Sequence, residues 1–440
     1  MIILLLALGQ PPLIPPRTDP RLSDIARAIA PARTEATVRR LVGFGTRHTF
    51  SDTVSTTRGI GAARRWIHQE FEGISKACGG CLQVSFNRGL LKAEPGSRIP
   101  KDGELVNVIA IQRGTRYPDQ YLLITGHYDS RASDPNDATS DAPGAVDDAS
   151  GTAAVIETAR VLSKYQFDKT LVYGALAGEE QGLFGGQQLA QFAKTNNWTI
   201  EGVLNNDIMG NSEGIGGQID NLTFRIFSEP VAVGESDDDR RARRVTGGEI
   251  DGPSRQLARY VYSVARQVAA PMRPKLVYRL DRFGRGGDHR AFNDLGFPAI
   301  RITEAFENYN RQHQNVRTEG GIAYGDVPDK ADFPYSARIA GINAAALASL
   351  AWAPPAPLGV QLKGGGRAST TLTWRPAAGA AGYIVYWRDT TEPTWTQSRW
   401  VGAVTEFTLD GILIDDHLFG VASVGATGTE SVVTFATSGR

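Results

Sequence analysis

The chain has 440 residues, 41% hydrophobic and 21% charged, a composition that packs cores and excludes general disorder. Its 47 Lys and Arg balance 47 Asp and Glu, so it lacks the basic footprint of a nucleic-acid binder. Two Cys exclude a disulfide-dense scaffold and a four-Cys zinc site, and the length predicts two or three domains.

Residues 1–16 begin with an apolar run from Met1 to Gly9, followed by Pro11, Pro12, Pro15 and Pro16. A spanning helix needs roughly 20 apolar residues, so no membrane span is expected here or elsewhere. The run has the character of a secretory leader without its basic start, which predicts a secreted or periplasmic protein. Residues 17 to about 100 show helical spacing, with Leu22, Ile25 and Ile29, then Val38, Leu41 and Val42, then Ala63, Ile67 and Phe71. Cys78-Gly-Gly-Cys81 is most simply a local disulfide in an exported protein. A redox pair or half of a zinc knuckle are the alternatives, the second lacking another Cys pair.

From Val106 to Trp352 strands and helices alternate. Val106–Gln112, Tyr121–Thr125, Thr170–Ala177, Ile200–Asn205 and Pro298–Thr303 are predicted strands. Ala149–Leu162, Gly182–Ala193, Gly252–Ala269 and Tyr335–Trp352 are predicted helices, the last with Ile339, Ile342, Ala346 and Leu350 inward. This order predicts an α/β fold, a mostly parallel sheet flanked by helices, over residues 17–352. Between them, residues 236–244 form a charged run expected to be an exposed loop. Residues 353–357 are a Pro-rich linker. Residues 358–440 change to short strands: Thr370–Arg375, Gly382–Arg388, Trp395–Val401, Glu406–Leu409, Leu418–Val424 and Ser431–Ala436. That spacing predicts a small all-β sandwich, and Leu372, Trp374, Tyr383 and the turn at Leu409–Gly411 resemble a fibronectin type III domain. The partner of such a sandwich is not readable from these residues.

The chemistry collects after predicted strands. Tyr121–Thr125 runs into Gly126-His127-Tyr128-Asp129-Ser130, Thr170–Ala177 into Gly178-Glu179-Glu180, and Ile200–Asn205 into Asn206-Asp207. Ligands gather at the carboxyl ends of strands in open parallel sheets. Several carboxylates and one His meet there with no Lys or Arg beside them in sequence, which calls for a cation. Asp148 is placed to cap the helix at Ala149, which frees Asp147 for a metal, and His313 is the downstream His in a suitable loop. His with carboxylates suits zinc, with manganese or cobalt as alternatives. Each feature alone has a plainer reading. Glu179-Glu180 suits a helix N-terminus, Asp147-Asp148 a capped loop, and a His after a strand is commonly structural. Their joint order favours the metal.

Gly-His127-x-Asp129-Ser, Pro-Gly-Ala-x-Asp147-Asp148-x-Ser-Gly, Gly-Glu179-Glu180-x-Gly-Leu and Asn-Asp207-x-x-Gly resemble the co-catalytic zinc exopeptidases of the aminopeptidase and glutamate carboxypeptidase family. Gly287-Asp288-His289-x-x-Phe292, Gly296-x-Pro298-Ala-Ile and His313 continue the match in order, from Arg47 to Leu350. The resemblance implies two zinc ions about 3.5 Å apart. His127 and Asp207 would hold one, Glu180 and His313 the other, with Asp147 bridging. It makes a metal-bridging water the nucleophile, Glu179 the general base and Asp129 the group that orients His127. It also implies a cis peptide at Asp147–Asp148. Gln312 stands where some members carry a Tyr, so Tyr309 becomes the candidate oxyanion donor. Asp288 is expected to cap a helix, and His289 is not assigned to the site.

The expected activity is therefore hydrolysis of the terminal bond of a peptide substrate, as an aminopeptidase. A carboxypeptidase with an Arg pocket near Arg282 and Arg285, a single-zinc glutaminyl cyclase, and a metal-free binding or receptor protein are the rivals. Asn197-Trp-Thr and Asn221-Leu-Thr are glycosylation sequons in a host that glycosylates.

Overall fold

The computed structural model describes residues 18–438. The leader expected at residues 1–16 lies outside them. The described chain divides into two units. One comprises Pro20–Asp237 and Glu249–Trp352; the other holds Asp238–Gly248 and the described residues from Ala353 on, with Thr18 and Asp19.

In the first unit the helices α1 (Arg21–Ala28), α2 (Pro31–Val42) and α3 (Gly59–Ala77) come first, then β1 (Gln83–Leu91), β2 (Gly103–Gln112) and β3 (Tyr117–His127). The helical expectation for 17–100 thus ends at Ala77. β1 escapes it because its exposed and half-buried residues alternate irregularly and give no clear strand period. Next come α4 (Ala149–Leu162), β4 (Lys169–Leu176), α5 (Glu179–Gly182), α6 (Phe184–Thr195), β5 (Thr199–Asn206) and β6 (Thr223–Ser228). Beyond α7 (Asp237–Thr246) the unit continues through α8 (Pro253–Val268), β7 (Arg273–Val277), α9 (His289–Asn293), β8 (Ala299–Glu304), β9 (Arg317–Glu319), β10 (Ile322–Tyr324) and α10 (Phe333–Trp352). The charged run is helical in α7 rather than a loop; it stays exposed, with no buried residue.

Eight strands form one mixed sheet in the order β1-β2-β4-β3-β5-β8-β6-β7. The central neighbours β4, β3, β5 and β8 run parallel, as do β6 and β7; β1, β2 and β6 enter antiparallel. All eight residues of β4 are buried, as expected of a strand covered on both faces. Register aligns the strand ends: His127 lies opposite Leu176, Thr125 opposite Asn205, and Asn206 opposite Ile302. The carboxyl ends of β3, β4, β5 and β8 therefore share one edge. Under the sheet, α10 is buried on nearly every side rather than on one face, because it is apolar throughout and packs against α1, α4 and α8. No described helix is long and apolar enough to cross a membrane. Cys78 and Cys81 form a disulfide just after α3.

The other unit contains two four-stranded sheets, β15-β12-β11-β18 and β14-β13-β16-β17. Their strands are β11 (Leu358–Lys363), β12 (Ser369–Arg375), β13 (Gly382–Asp389), β14 (Gln397–Gly402), β15 (Glu406–Asp410), β16 (His417–Val424), β17 (Thr434–Phe435) and β18 (Thr437–Ser438). β11 is an addition to the predicted strands. Leu372, Trp374, Tyr383, Val385, Trp387 and Phe419 build the core. The Pro-rich 353–357 segment is tied into this unit, since Ser423 donates to the Pro355 carbonyl at 2.7 Å and Thr434 to that of Pro357 at 2.7 Å.

Close approach at the sheet edge rests on Gly126. A Cβ there would lie 2.6 Å from the Gly151 carbonyl carbon of α4. Backbone cannot yield as a flexible side chain does, so Gly126→Ala should destabilise the unit by about 1–3 kcal/mol. A lowered thermal midpoint by calorimetry checks this; an unchanged midpoint would show that α4 shifts freely.

Candidate metal centre

The sheet edge brings the predicted residues together. His127 ends β3, Glu179 and Glu180 open α5 just after β4, and Asp207 follows β5. Asp147 precedes α4 and His313 lies in the loop after β8. Two groups of ligand atoms form, His127 with Asp147 and Asp207, and Asp147 with Glu180 and His313, each within 4.8 Å. Asp147 belongs to both. His127 Nε2 is 3.2 Å from Asp147 Oδ1, while His313 Nε2 is 2.9 Å from Asp147 Oδ2 and 3.0 Å from Glu180 Oε1. His127, Asp147, Glu180 and Asp207 are buried.

The residues fit divalent metal. His127 Nε2 and Glu180 Oε1 are buried without a well-directed hydrogen bond, although Asp147 and His313 lie close to them. Such atoms are costly unless something outside the polypeptide satisfies them. Burial opposes charge on His313, yet Glu180 and Asp147 outweigh it and hold the imidazolium up to about 10. His127 is likewise raised well above its usual value: burial opposes the charge, but the neighbouring Asp129 and Asp147 carboxylates prevail. Any metal held by these groups would compete with protons for the two imidazoles. The imidazole and carboxylate donors match zinc.

Glu179 belongs to neither ligand group. Its side chain is 12% exposed, and Oε2 lies 4.0 Å from His127 Nε2. Burial, with Asp207 and Glu180 adding to it against His127, holds its carboxyl well above the usual range. Glu179 and Glu180 are the first two residues of α5, so their side chains leave the backbone in different directions.

Supporting groups fix this arrangement. Asp148 caps α4 by accepting from Gly151 N at 2.9 Å, and it also accepts from His127 N at 3.0 Å and Ile208 N at 3.2 Å. The Asp147–Asp148 peptide is cis. His127 Nδ1 donates to the Asp129 backbone carbonyl at 3.1 Å, nearer than the Asp129 carboxylate at 3.4 Å. That carboxylate instead accepts from Glu179 N and Glu180 N at 3.3 and 3.2 Å, so Asp129 also orients both glutamates. Arg47, fully buried, donates to the carbonyls of Tyr128, Pro143 and Gly144. Asp326 accepts from Val146 N and Asp147 N, the latter at 2.8 Å. Arg301 holds Asp207 Oδ2 at 2.7 Å. These three were not predicted. Arg301 left a signal, an arginine inside an apolar buried strand that demands a partner; Arg47 and Asp326 left none.

Other expectations fare differently. Tyr309 is 54% exposed and does not line the cleft, which puts it out of place as an oxyanion donor. Asp288 occupies the N-cap position before α9, but its side chain makes no capping bond there and accepts from Gly186 N at 3.2 Å instead. His289 is buried against the Leu280 carbonyl at 2.9 Å. A cavity of about 380 Å³ opens over the centre, lined by Asp147, Glu179, Glu180, Asp207 and His313, and on its walls by Arg98, Arg131, Arg282, Arg285 and Arg290.

The model of peptidase family M28 matches residues 107–319. A probable zinc metalloprotease of Leptosphaeria maculans is 42% identical over 422 residues, covering 95% of this chain and 97% of the relative. The LapA aminopeptidase of Legionella pneumophila superposes with a TM-score of 0.54 at 16% identity, over 80% of each chain. A glutaminyl cyclase of Macrostomum lignano gives 0.52 at 14% identity, over 76% of this chain and 93% of that one. These two likenesses are of fold.

Asp326→Ala leaves two backbone N–H groups beside Asp147 without their acceptor. Metal affinity should fall about 10–100-fold with the fold retained, measured by chelator competition and circular dichroism. Undiminished affinity would show that the loop holds Asp147 unaided.

Proposed function

The chain belongs to peptidase family M28 and is a metallopeptidase, and from that premise we propose that it is an exported di-zinc aminopeptidase. One observation carries the reading: Asp147 is common to two groups of buried ligand atoms. A shared carboxylate between two sets favours a pair of ions over the single zinc of a cyclase. Two zinc ions, when bound, supply a water of lowered pKa and polarise the scissile carbonyl.

The residues of the chain do the rest. Glu179, outside both ligand groups, takes a proton at Oε2 and returns it to the leaving amine. Burial raises its carboxyl above the ordinary carboxylate range, a direction that suits a group that must accept a proton and then give it up. Asp129 keeps it in place through its own N–H. The cleft floor holds Asp147, Glu180 and Asp207, acidic groups that suit the free amine of a peptide N-terminus. Since Tyr309 is exposed and does not line the cavity, oxyanion stabilisation is assigned to the metal centre and the arginines of the wall.

The Cys78–Cys81 disulfide supports an oxidising compartment, in keeping with the apolar start of the sequence. For the domains we propose a catalytic region over 17–352 and a fibronectin type III-like region over 358–440. The paired four-stranded sheets and the Trp374 and Tyr383 core support the second.

Glu179→Gln should keep its metals by elemental analysis yet lose about 10²–10⁴ in kcat on an amino-acid anilide. The same anilide with a blocked amine should resist the parent enzyme. Near-parent turnover by the variant would remove Glu179 as the base, and cleavage of the blocked substrate would remove the aminopeptidase assignment.

A further inference from the structure

α5 is a single turn, Glu179–Gly182, with a left-handed residue on either side, Gly178 at φ 72° and Leu183 at φ 64°. One helical turn does not hold itself, because fixing its backbone angles outweighs the few hydrogen bonds it closes. Groups outside α5 therefore set its position. The Asp129 carboxylate accepts from its first two N–H groups, and Arg98 Nη1 donates to the Glu180 carbonyl at 2.8 Å. A third hold acts on a side chain. Gln181 is buried, and its amide lies 3.2 Å from His48 Nε2.

His48 is fully buried in the segment between α2 and α3. Its contacts fix the role of each ring nitrogen. Phe50 N donates to Nδ1 at 3.1 Å, so Nδ1 is the acceptor and Nε2 carries the N–H. That N–H faces the Pro135 carbonyl at 2.8 Å, as a donor should. It faces the Gln181 amide as well, so Gln181 turns its carbonyl oxygen to the ring; Oε1 has no other partner. The support is itself held, since His48 N donates to Thr46 Oγ1 at 3.1 Å and Ser51 Oγ to His48 O at 2.6 Å. One imidazole N–H thus joins the loop at Pro135 to α5.

The two glutamates depend on this turn unequally. Glu180 belongs to a ligand group, so a bound metal would fix its carboxylate directly. Glu179 belongs to neither group and takes its direction from the turn that carries it. We infer that His48 is a positioning residue for Glu179: through Gln181 it holds α5 in the rotation that keeps the Glu179 carboxylate beside the metal centre. The inference rests on the reading of Glu179 as the base of a peptidase and adds a residue distant from it in sequence.

The test uses the zinc-loaded full chain and an amino-acid anilide. A Gln side chain carries its amide N–H as far as Nε2 of a histidine, whereas Asn reaches only as far as Nδ1. His48→Asn should therefore lower kcat about 10-fold or more with KM and zinc content unchanged, and His48→Gln should keep most of the parent rate. Gln181→Leu removes the acceptor from the other side and should match His48→Asn, with the double variant no slower than either. In a Glu179→Gln background His48→Asn should cost nothing further, because the group it positions is gone. Parent kcat in both His48→Asn and Gln181→Leu, or an equal further loss in the Glu179→Gln background, overturns the inference and leaves the peptidase reading intact. Amide hydrogen exchange over Glu179–Gly182 supplies a readout independent of turnover. It should quicken about 10-fold in His48→Asn and Gln181→Leu and stay near the parent rate in His48→Gln. Unchanged exchange in the first two variants overturns the inference. Faster exchange, with a parent that cleaves no peptide, sustains the His48 clamp on α5 and removes the peptidase reading instead.

Discussion

Buried carboxylates converging on one point repel, and this repulsion organises the α/β unit. Asp147, Glu180 and Asp207 are all buried at one sheet edge, and among the described residues only Arg301 forms an ion pair with any of them apart from the two imidazoles. Such a cluster costs free energy unless cations balance it. His127 and His313, whose imidazolium forms these carboxylates favour, are the cationic groups beside them in the described structure. The site is thus a place where folding stability has been given up in favour of binding capacity.

The surrounding structure holds the cluster against that repulsion. Asp148 ties the end of β3, the start of α4 and the residue after Asp207 to a single carboxylate. Arg47 and Asp326 grip the loop before α4 from its carbonyls and its N–H groups. Asp129 joins the β3 end to both glutamates. Even the backbone conforms: His313 and Ile208 adopt φ of 53° and 63°, left-handed values uncommon outside glycine, beside the centre. Positions of this kind persist where neighbours over-determine them.

What the sequence discloses follows from how each element is stabilised. β3, β4, β5 and β8 are legible because strands covered on both faces need continuous apolar runs, and α4 because its cap and apolar spacing agree. The acidic and imidazole residues are legible because they follow those strands immediately. β7 hides behind Pro274 and only five residues, and β1 behind an irregular exposure pattern. α7 has no apolar face to reveal it. Arg47 and Asp326 act through backbone groups distant in sequence, so no local pattern marks them. Tyr309, near His313 along the chain, is exposed and does not line the cavity, because proximity in sequence does not fix where a loop side chain points.

Everything above depends on two cations sharing Asp147. Anomalous diffraction at the zinc edge, from crystals of the zinc-loaded protein, tests this most directly. Two peaks about 3.5 Å apart, one beside His127 and Asp207 and one beside Glu180 and His313, are the predicted result. A single peak on one side of Asp147, or none at this sheet edge, would contradict it.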